Sequence, residues 1–309
     1  MSTIAFLFPG QGSQYVGMAQ DIAEHDVQAR ATIEAADRIL GIPLSGVLFS
    51  GPEELLRQTH NTQPAIFLHS TIVAQALTGS SFKPSMVAGH SLGEYSALVA
   101  AGALSFEDGL RLVRLRGELM QRAGEQQKGT MAAVVGLSPE ATEEICREAS
   151  TAGIVQPANF NSPGQIAISG SVDGVHKAME LARTKGAKLV KELVVSGAFH
   201  SPLMQSARDG LRSALDATTI YDARIPVYAN VTGGPVTRGP EIRELLYQQL
   251  TSPVRWEDTI RNMARDGADA FFEIGPGKVL QGLVKRIVPG ARTGGFDTWT
   301  DITAGRSTA

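Results

Sequence analysis

The run Met86-Val87-Ala88-Gly89-His90-Ser91-Leu92-Gly93-Glu94 decides how this chain folds. Its first four residues are apolar or small and read as a short buried strand, and a helical pattern resumes at once, from about Leu92 to Ala101. Between them, two glycines bracket a serine. That order of strand, tight turn and helix is the setting of a nucleophile elbow, in which the glycines permit close backbone approach and the helix N-terminus offers N–H groups to developing negative charge. A Gly-x-Ser-x-Gly string also fits an ordinary Gly-rich turn. The flanking strand and helix favour Ser91 as a nucleophile.

Working outward, Ile4 to Phe8 reads as a second strand that runs into Pro9-Gly10-Gln11-Gly12-Ser13-Gln14, with helical patterns following through Leu77. Another helix is expected from Ser105, where Ser105 and Asp108 have capping-box spacing. This recurrence predicts an α/β core with a parallel sheet. From Thr130 the rhythm changes. Strands are expected over Met131–Val135, Ile154–Asn159, Ile166–Ser169 and Leu189–Val194, and helices over Pro139–Ala149 and Val172–Lys185. The order β-α-β-β-α-β is the ferredoxin-like unit. Polar or small flanks at 126–129 and 195–197 suit a boundary. The expected architecture is an α/β-hydrolase-like catalytic domain built from 1–127 and 196–309, interrupted by a ferredoxin-like small domain over 128–195.

Composition narrows the function classes. The 309 residues are 43% hydrophobic, with a formal net charge of -3, so no global positive field points to nucleic acid or an acidic membrane surface. No apolar run approaches the roughly 18 residues that span a bilayer, and Met1 to Phe8 lacks the charged flank of a secretory signal. A single cysteine, Cys146, forms no internal disulfide, and the simplest setting is the reducing cytoplasm. There is no metal-ligand cluster. Gly277-Lys278 is not a phosphate loop, because Phe272 stands where the first glycine belongs and Val279 where Ser or Thr belongs.

A serine hydroxyl needs a base, and six histidines are available. His25 and His60 are placed in polar turns, His176 on an outward helix face, and His69 in an apolar helix. His90 adjoins the serine, but neighbours at such a turn point apart. His200, in Ser196-Gly197-Ala198-Phe199-His200-Ser201-Pro202, falls where the chain re-enters the large domain and is the best-placed base. Arg116 is the other unusual residue. On the helix from Phe106 to Ala123 it lies in the middle of the apolar arc of Leu110, Leu112, Val113, Leu115, Leu119 and Met120. A guanidinium there needs an anion, either a carboxylate of this chain or the carboxylate of a substrate.

With these pieces placed, the sequence resembles the malonyl-CoA:acyl carrier protein transacylases of bacterial type II fatty-acid synthesis from about residue 4 to 288. The likeness rests on Phe8-Pro-Gly-Gln-Gly-Ser-Gln14, Asn61-Thr-Gln-Pro64, Gly89-His-Ser-Leu-Gly-Glu94, Arg116-Gly117, Asn159-Phe-Asn-Ser-Pro-Gly-Gln165, Ala198-Phe-His200 and Gly275-Pro-Gly-Lys-Val-Leu280. The resemblance implies that Ser91 takes the malonyl group from malonyl-CoA, with His200 as general base and then general acid. It implies that Arg116 binds the malonyl carboxylate, that the backbone N–H groups of Gln11 and Leu92 form the oxyanion hole, and that the main-chain carbonyl of Gln249 orients His200. Gln63, Asn159 and Asn161 match motifs near the substrate pocket. Phe199 would narrow that pocket beside the α-carbon.

The resemblance further implies no permanently bound cofactor, a monomer, and a holo-acyl carrier protein whose phosphopantetheine thiol is the acceptor. Lys185, Lys188, Lys191, Lys278, Lys285 and Arg286 are candidate docking charges. Other readings are a serine esterase of the α/β-hydrolase type, a transacylase serving a polyketide synthase or malonate decarboxylase carrier, and a non-catalytic docking module. An esterase expects an acidic triad member between Ser91 and His200 and gives Arg116 no role.

Overall fold

Alternation along the first strand sets the layering. In the computed structural model, which describes residues 3–78 and 82–307, Ile4–Phe8 (β1) turns Ala5 and Leu7 to one hydrophobic cluster and Phe6 and Phe8 to another. Successive side chains of a strand point to opposite faces, so a strand that is apolar throughout is buried on both. The remaining strands are β2 (Met86–Gly89), β3 (Gly129–Val135), β4 (Val155–Ser162), β5 (Gln165–Ser171), β6 (Leu189–Glu192), β7 (Val227–Tyr228), β8 (Pro235–Val236), β9 (Ala270–Ile274) and β10 (Arg292–Phe296).

They form two sheets. One has the order β10-β9-β1-β2-β7-β8, parallel except where β8 meets β7, and the other has the order β4-β5-β3-β6 and is antiparallel throughout. The fold is mixed α/β, with helices over both faces of the parallel sheet. The second sheet carries the helices Pro139–Ala149 and Val172–Thr184 on its own small core of Val134, Ile145, Ile168 and Val175. Its other face joins the main cluster through Met131, Ala158 and Ala167.

Several expected elements differ at their ends. The strand expected to start at Ile154 is Val155–Ser162, and the one expected to reach Val194 stops at Glu192. The main helix continues to Gln126, three residues past the apolar pattern. His60 is not in a polar turn but in the helix Thr59–Ala76, with its Nδ1 2.6 Å from Gln121 Oε1. No helix among the described residues is long and apolar enough to cross a membrane.

The two helices that frame the site approach each other unusually closely. A side chain at Gly117 would put its Cβ 2.8 Å from His60 Cα, so Phe106–Gln126 can lie against Thr59–Ala76 only with glycine there. Pro64 inside the second helix has no N–H for the His60 carbonyl, and Arg114 Nη1 donates to that oxygen at 2.9 Å instead. Gln63 and Arg116 are thereby held side by side.

Candidate active site

The backbone around Ser91 lies beyond the carboxyl ends of parallel strands, the usual place for a site in an open α/β sheet, while Gln63, Arg116, His200 and Gln249 reach it from helices and from the chain after the antiparallel sheet. The loop after β1 supplies Gln11, the turn after β2 supplies Ser91 and Leu92, the segment after β7 supplies Asn230, and the turn after β9 leads into the helix Val279–Ile287. The turn at Ser91 is forced: a Cβ at Gly93 would lie 2.1 Å from the Phe8 carbonyl oxygen. Ser91 itself has φ 51°. A left-handed serine costs on the order of 1–3 kcal/mol, which surrounding contacts must offset.

Ser91 Oγ lies 2.8 Å from His200 Nε2, and His200 Nδ1 lies 2.9 Å from the carbonyl oxygen of Gln249. A carbonyl only accepts, so Nδ1 carries the proton and Nε2 presents its lone pair to the Ser91 hydroxyl. His200 is 3% exposed. Burial first, then the Arg116 charge, hold its pKa down at about 3, against the opposing hydrogen bond that Nδ1–H donates to the Gln249 carbonyl. The imidazole is neutral near pH 7 and able to accept a proton.

Arg116, 1% exposed, is the largest buried charge in the site. Nη1 donates to Gln63 Oε1 at 2.8 Å, and Nη2 donates to Gln249 Oε1 at 2.9 Å and to Ser91 Oγ at 3.1 Å. Its Nε has no hydrogen-bond partner, and among the described residues no carboxylate forms an ion pair with it. Burial lowers its pKa, with Tyr95 and Glu94 opposing, but a guanidinium stays protonated. A buried cation held by neutral amides beside the Ser91 hydroxyl is suited to an incoming anion.

Glu94 is a carboxylate that bears on it electrostatically. It is 2% exposed, and burial raises its pKa to about 7, against hydrogen bonds from the Asn230 N–H and the Gln249 side chain and the Arg116 charge. Gln249 Nε2 donates to Glu94 Oε2 at 2.8 Å and to the Ser91 carbonyl at 3.0 Å. Gln249 therefore touches Arg116, Ser91, His200 and the buried acid Glu94 at once. The sequence reading used only its carbonyl. Glu94 closes the elbow motif, and Asn230 is a polar residue just after a buried strand; those are the only sequence signals that either carries.

A cavity of about 340 Å³ opens on this constellation, lined by Gln11, Gln63, Ser91, Leu92, Arg116, Asn159, Asn161, Phe199 and His200, with Val279 and Arg286 among its other walls. The N–H groups of Gln11 and Leu92 have no acceptor among the described residues. Asn161 Oδ1 lies 2.9 Å from His90 Nε2, which turns His90 away from the serine and ties the elbow to β4. Of the candidate docking charges, Lys185 pairs with Glu144 and Glu148 at 3.3 and 3.6 Å, while Arg286 donates to Gln165 Oε1 at 2.6 Å beside the cavity. Among the described residues no group of His, Cys, Asp and Glu is arranged to hold a metal.

This arrangement can carry out acyl transfer through a serine ester on an acyl group that bears a negative charge. The acyl transferase domain family matches residues 5–292. The chain is 48% identical over 288 residues to the malonyl CoA-acyl carrier protein transacylase of Bacillus subtilis (strain 168), covering 93% of this chain and 91% of that protein. It superposes on the acyl carrier protein S-malonyltransferase of Vibrio cholerae with a TM-score of 0.95 at 41% identity, covering 98% of this chain and 99% of the other. The same TM-score, at 38% identity and with both chains fully covered, relates it to a malonyl-transacylase solved in complex with its type II polyketide acyl carrier protein. The chain belongs to the acyl transferase family and, within it, to the malonyl CoA-acyl carrier protein transacylases.

Proposed function

We propose that this chain moves a malonyl group from malonyl-CoA to the phosphopantetheine thiol of a holo-acyl carrier protein, by way of a malonyl ester on Ser91, and so supplies fatty-acid synthesis. The observation that carries the reading is Arg116, an unpaired buried guanidinium 3.1 Å from the same Oγ that lies 2.8 Å from a neutral histidine. The malonyl carboxylate binds Arg116. Ser91 Oγ attacks the thioester carbonyl as its proton passes to His200 Nε2, and the oxyanion forms against the N–H groups of Gln11 and Leu92. Collapse expels the CoA sulfur, which takes the proton from His200. The carrier thiol then repeats the cycle on the ester, giving its proton to His200, which returns it to Ser91.

Arg116 has a second effect. Its charge is one cause of the low His200 pKa, and a bound carboxylate cancels that charge. Malonyl binding thus raises the proton affinity of the base at the moment it is used.

The finer architecture follows the same reading. The antiparallel order β4-β5-β3-β6 supports a ferredoxin-like small domain over 128–195, inserted in an α/β-hydrolase-like domain of 1–127 and 196–309. A monomer is part of the same reading, and a lone buried Cys146 suits the cytoplasm. Lys278, Lys285 and Arg286 are the proposed docking charges for the acidic carrier.

Intact-mass measurement after mixing with malonyl-CoA tests the proposal. A malonyl adduct that persists on the wild type and is absent from Ser91→Ala supports it. An adduct that survives in Ser91→Ala, or hydrolysis with no adduct, overturns it.

A further inference from the structure

β2 and β7 pair in parallel only as far as Ala88 and Tyr228. Beyond that point the chain must bend at the elbow, and a side chain takes over from the strand. Asn230, fully buried, donates from Nδ2 to the Gly89 carbonyl at 2.6 Å and accepts from the Ser91 N–H on Oδ1 at 2.6 Å. One primary amide thus serves both flanks of the turn, as a peptide unit of a neighbouring strand would. Its own backbone is pinned as well: the N–H donates to Glu94 Oε2 at 3.1 Å, and the carbonyl accepts from Arg255 N at 2.9 Å. Every polar group of Asn230 is engaged, yet it is not part of the cavity wall.

We infer that Asn230 is the positioning residue of the nucleophile elbow: by holding the Gly89 carbonyl and the Ser91 N–H it fixes the left-handed Ser91 backbone, and so aims Oγ at His200. The inference rests on the reading of Ser91 as the nucleophile. It concerns the rate of ester formation and leaves carboxylate recognition to Arg116.

Single-turnover formation of the malonyl-enzyme, followed by intact mass over a range of malonyl-CoA concentrations, tests it. In Asn230→Ala the rate constant is expected to fall about 100-fold, the effect of a misplacement of about 1 Å, with full final amplitude and an unchanged half-saturating concentration. A loss of amplitude at a wild-type rate constant means that Asn230 only supports folding and overturns the inference, as does an unchanged rate.

Asn230→Asp keeps the size and decides the matter should the alanine variant not fold. Ionised, it places a second acceptor against the Gly89 carbonyl; protonated, it restores a donor there and an acceptor for Ser91. Glu94, His90, His200, Arg116 and Arg255 surround the site in both proteins, so rates are taken as ratios to wild type at each pH. The ratio is expected to rise roughly 10-fold from about pH 8 to about pH 6, as a buried aspartate regains its proton. A flat ratio overturns the inference. Ser91→Ala is run beside them: an adduct there sinks the Ser91 reading, whereas a clean Ser91→Ala with a wild-type Asn230→Ala sinks only this one.

Discussion

Arg116 Nη2 donates to Ser91 Oγ at 3.1 Å, while the same nitrogen is held by Gln249 Oε1 at 2.9 Å. The proposed carboxylate clamp and the proposed nucleophile are therefore one hydrogen-bonded unit. Arg116→Ala is expected to lower the rate of malonyl ester formation by about 100-fold, the worth of a charge-assisted pair in a buried site, and to raise loading from acetyl-CoA relative to malonyl-CoA. Mass-resolved loading from the two thioesters measures both. Unchanged malonyl loading would make Arg116 a packing residue.

His200 is neutral in the resting enzyme down to about pH 3, because burial and Arg116 disfavour its charged form. The pH profile of kcat/KM for malonyl-CoA should show no acid limb from His200 across the neutral range. Removing the second cause with Arg116→Met raises the histidine toward its ordinary value, and the limb moves up with it. Glu94 also titrates, near 7, so both profiles are recorded in a Glu94→Gln background. A limb that stays where it was counts against the coupling.

Glu94 has its folded pKa raised from 4.5 to about 7. Between those values the unfolded chain has lost a proton that the folded chain keeps, so this contribution to stability is full below 4.5 and is lost as pH rises through 7. The loss at about pH 8 is on the order of 3 kcal/mol. Glu94→Gln should gain on wild type in denaturant midpoint at pH 8 relative to its standing at pH 4.5. An equal difference at the two pH values contradicts this.

The side chain of Gln249 can be separated from its carbonyl. Gln249→Leu keeps the acceptor for His200 Nδ1 but releases Arg116 Nη2 and the Ser91 carbonyl. The half-saturating malonyl-CoA concentration should rise roughly 10-fold, the loss of one hydrogen bond to a charged group. Steady-state kinetics that show a change in maximal rate alone would mean that Gln249 does not orient the clamp.

Phe199 is a wall of the cavity and only 7% exposed. Its ring is proposed to limit room beside the malonyl α-carbon, and one methyl group is worth about 1–3 kcal/mol. Competition between malonyl-CoA and methylmalonyl-CoA should shift toward methylmalonyl by about 10-fold or more in Phe199→Ala. No shift would place the limit elsewhere.

Much of this was legible without the structure because it is local. Whether Met86–Gly89 is a strand, whether a serine stands between turn glycines, and whether Arg116 falls on an apolar arc are settled within a few residues by sterics and helical period. The short strands Val227–Tyr228 and Pro235–Val236 have too few residues to show a period, and Arg292–Phe296 lies in a tail that carries no motif. The same tail supplies Asp297, whose carboxylate accepts from Tyr15 Oη at 2.9 Å and from Gly277 N at 3.0 Å and braces the loops after β1 and β9.

The sequence by itself determined the alternating α/β order, the turn that exposes Ser91 and the placing of one arginine against the core. Only the tertiary structure decided which atoms those residues face. Ser91 and His200 are 109 positions apart, Arg116 and Gln249 are 133, and Asn230 reaches back 139 to Ser91. Periodicity reports which side of an element is buried, not which distant segment arrives there. The direction of a buried hydrogen bond depends on that arrival, because its partners are brought together by the packing of whole helices and strands.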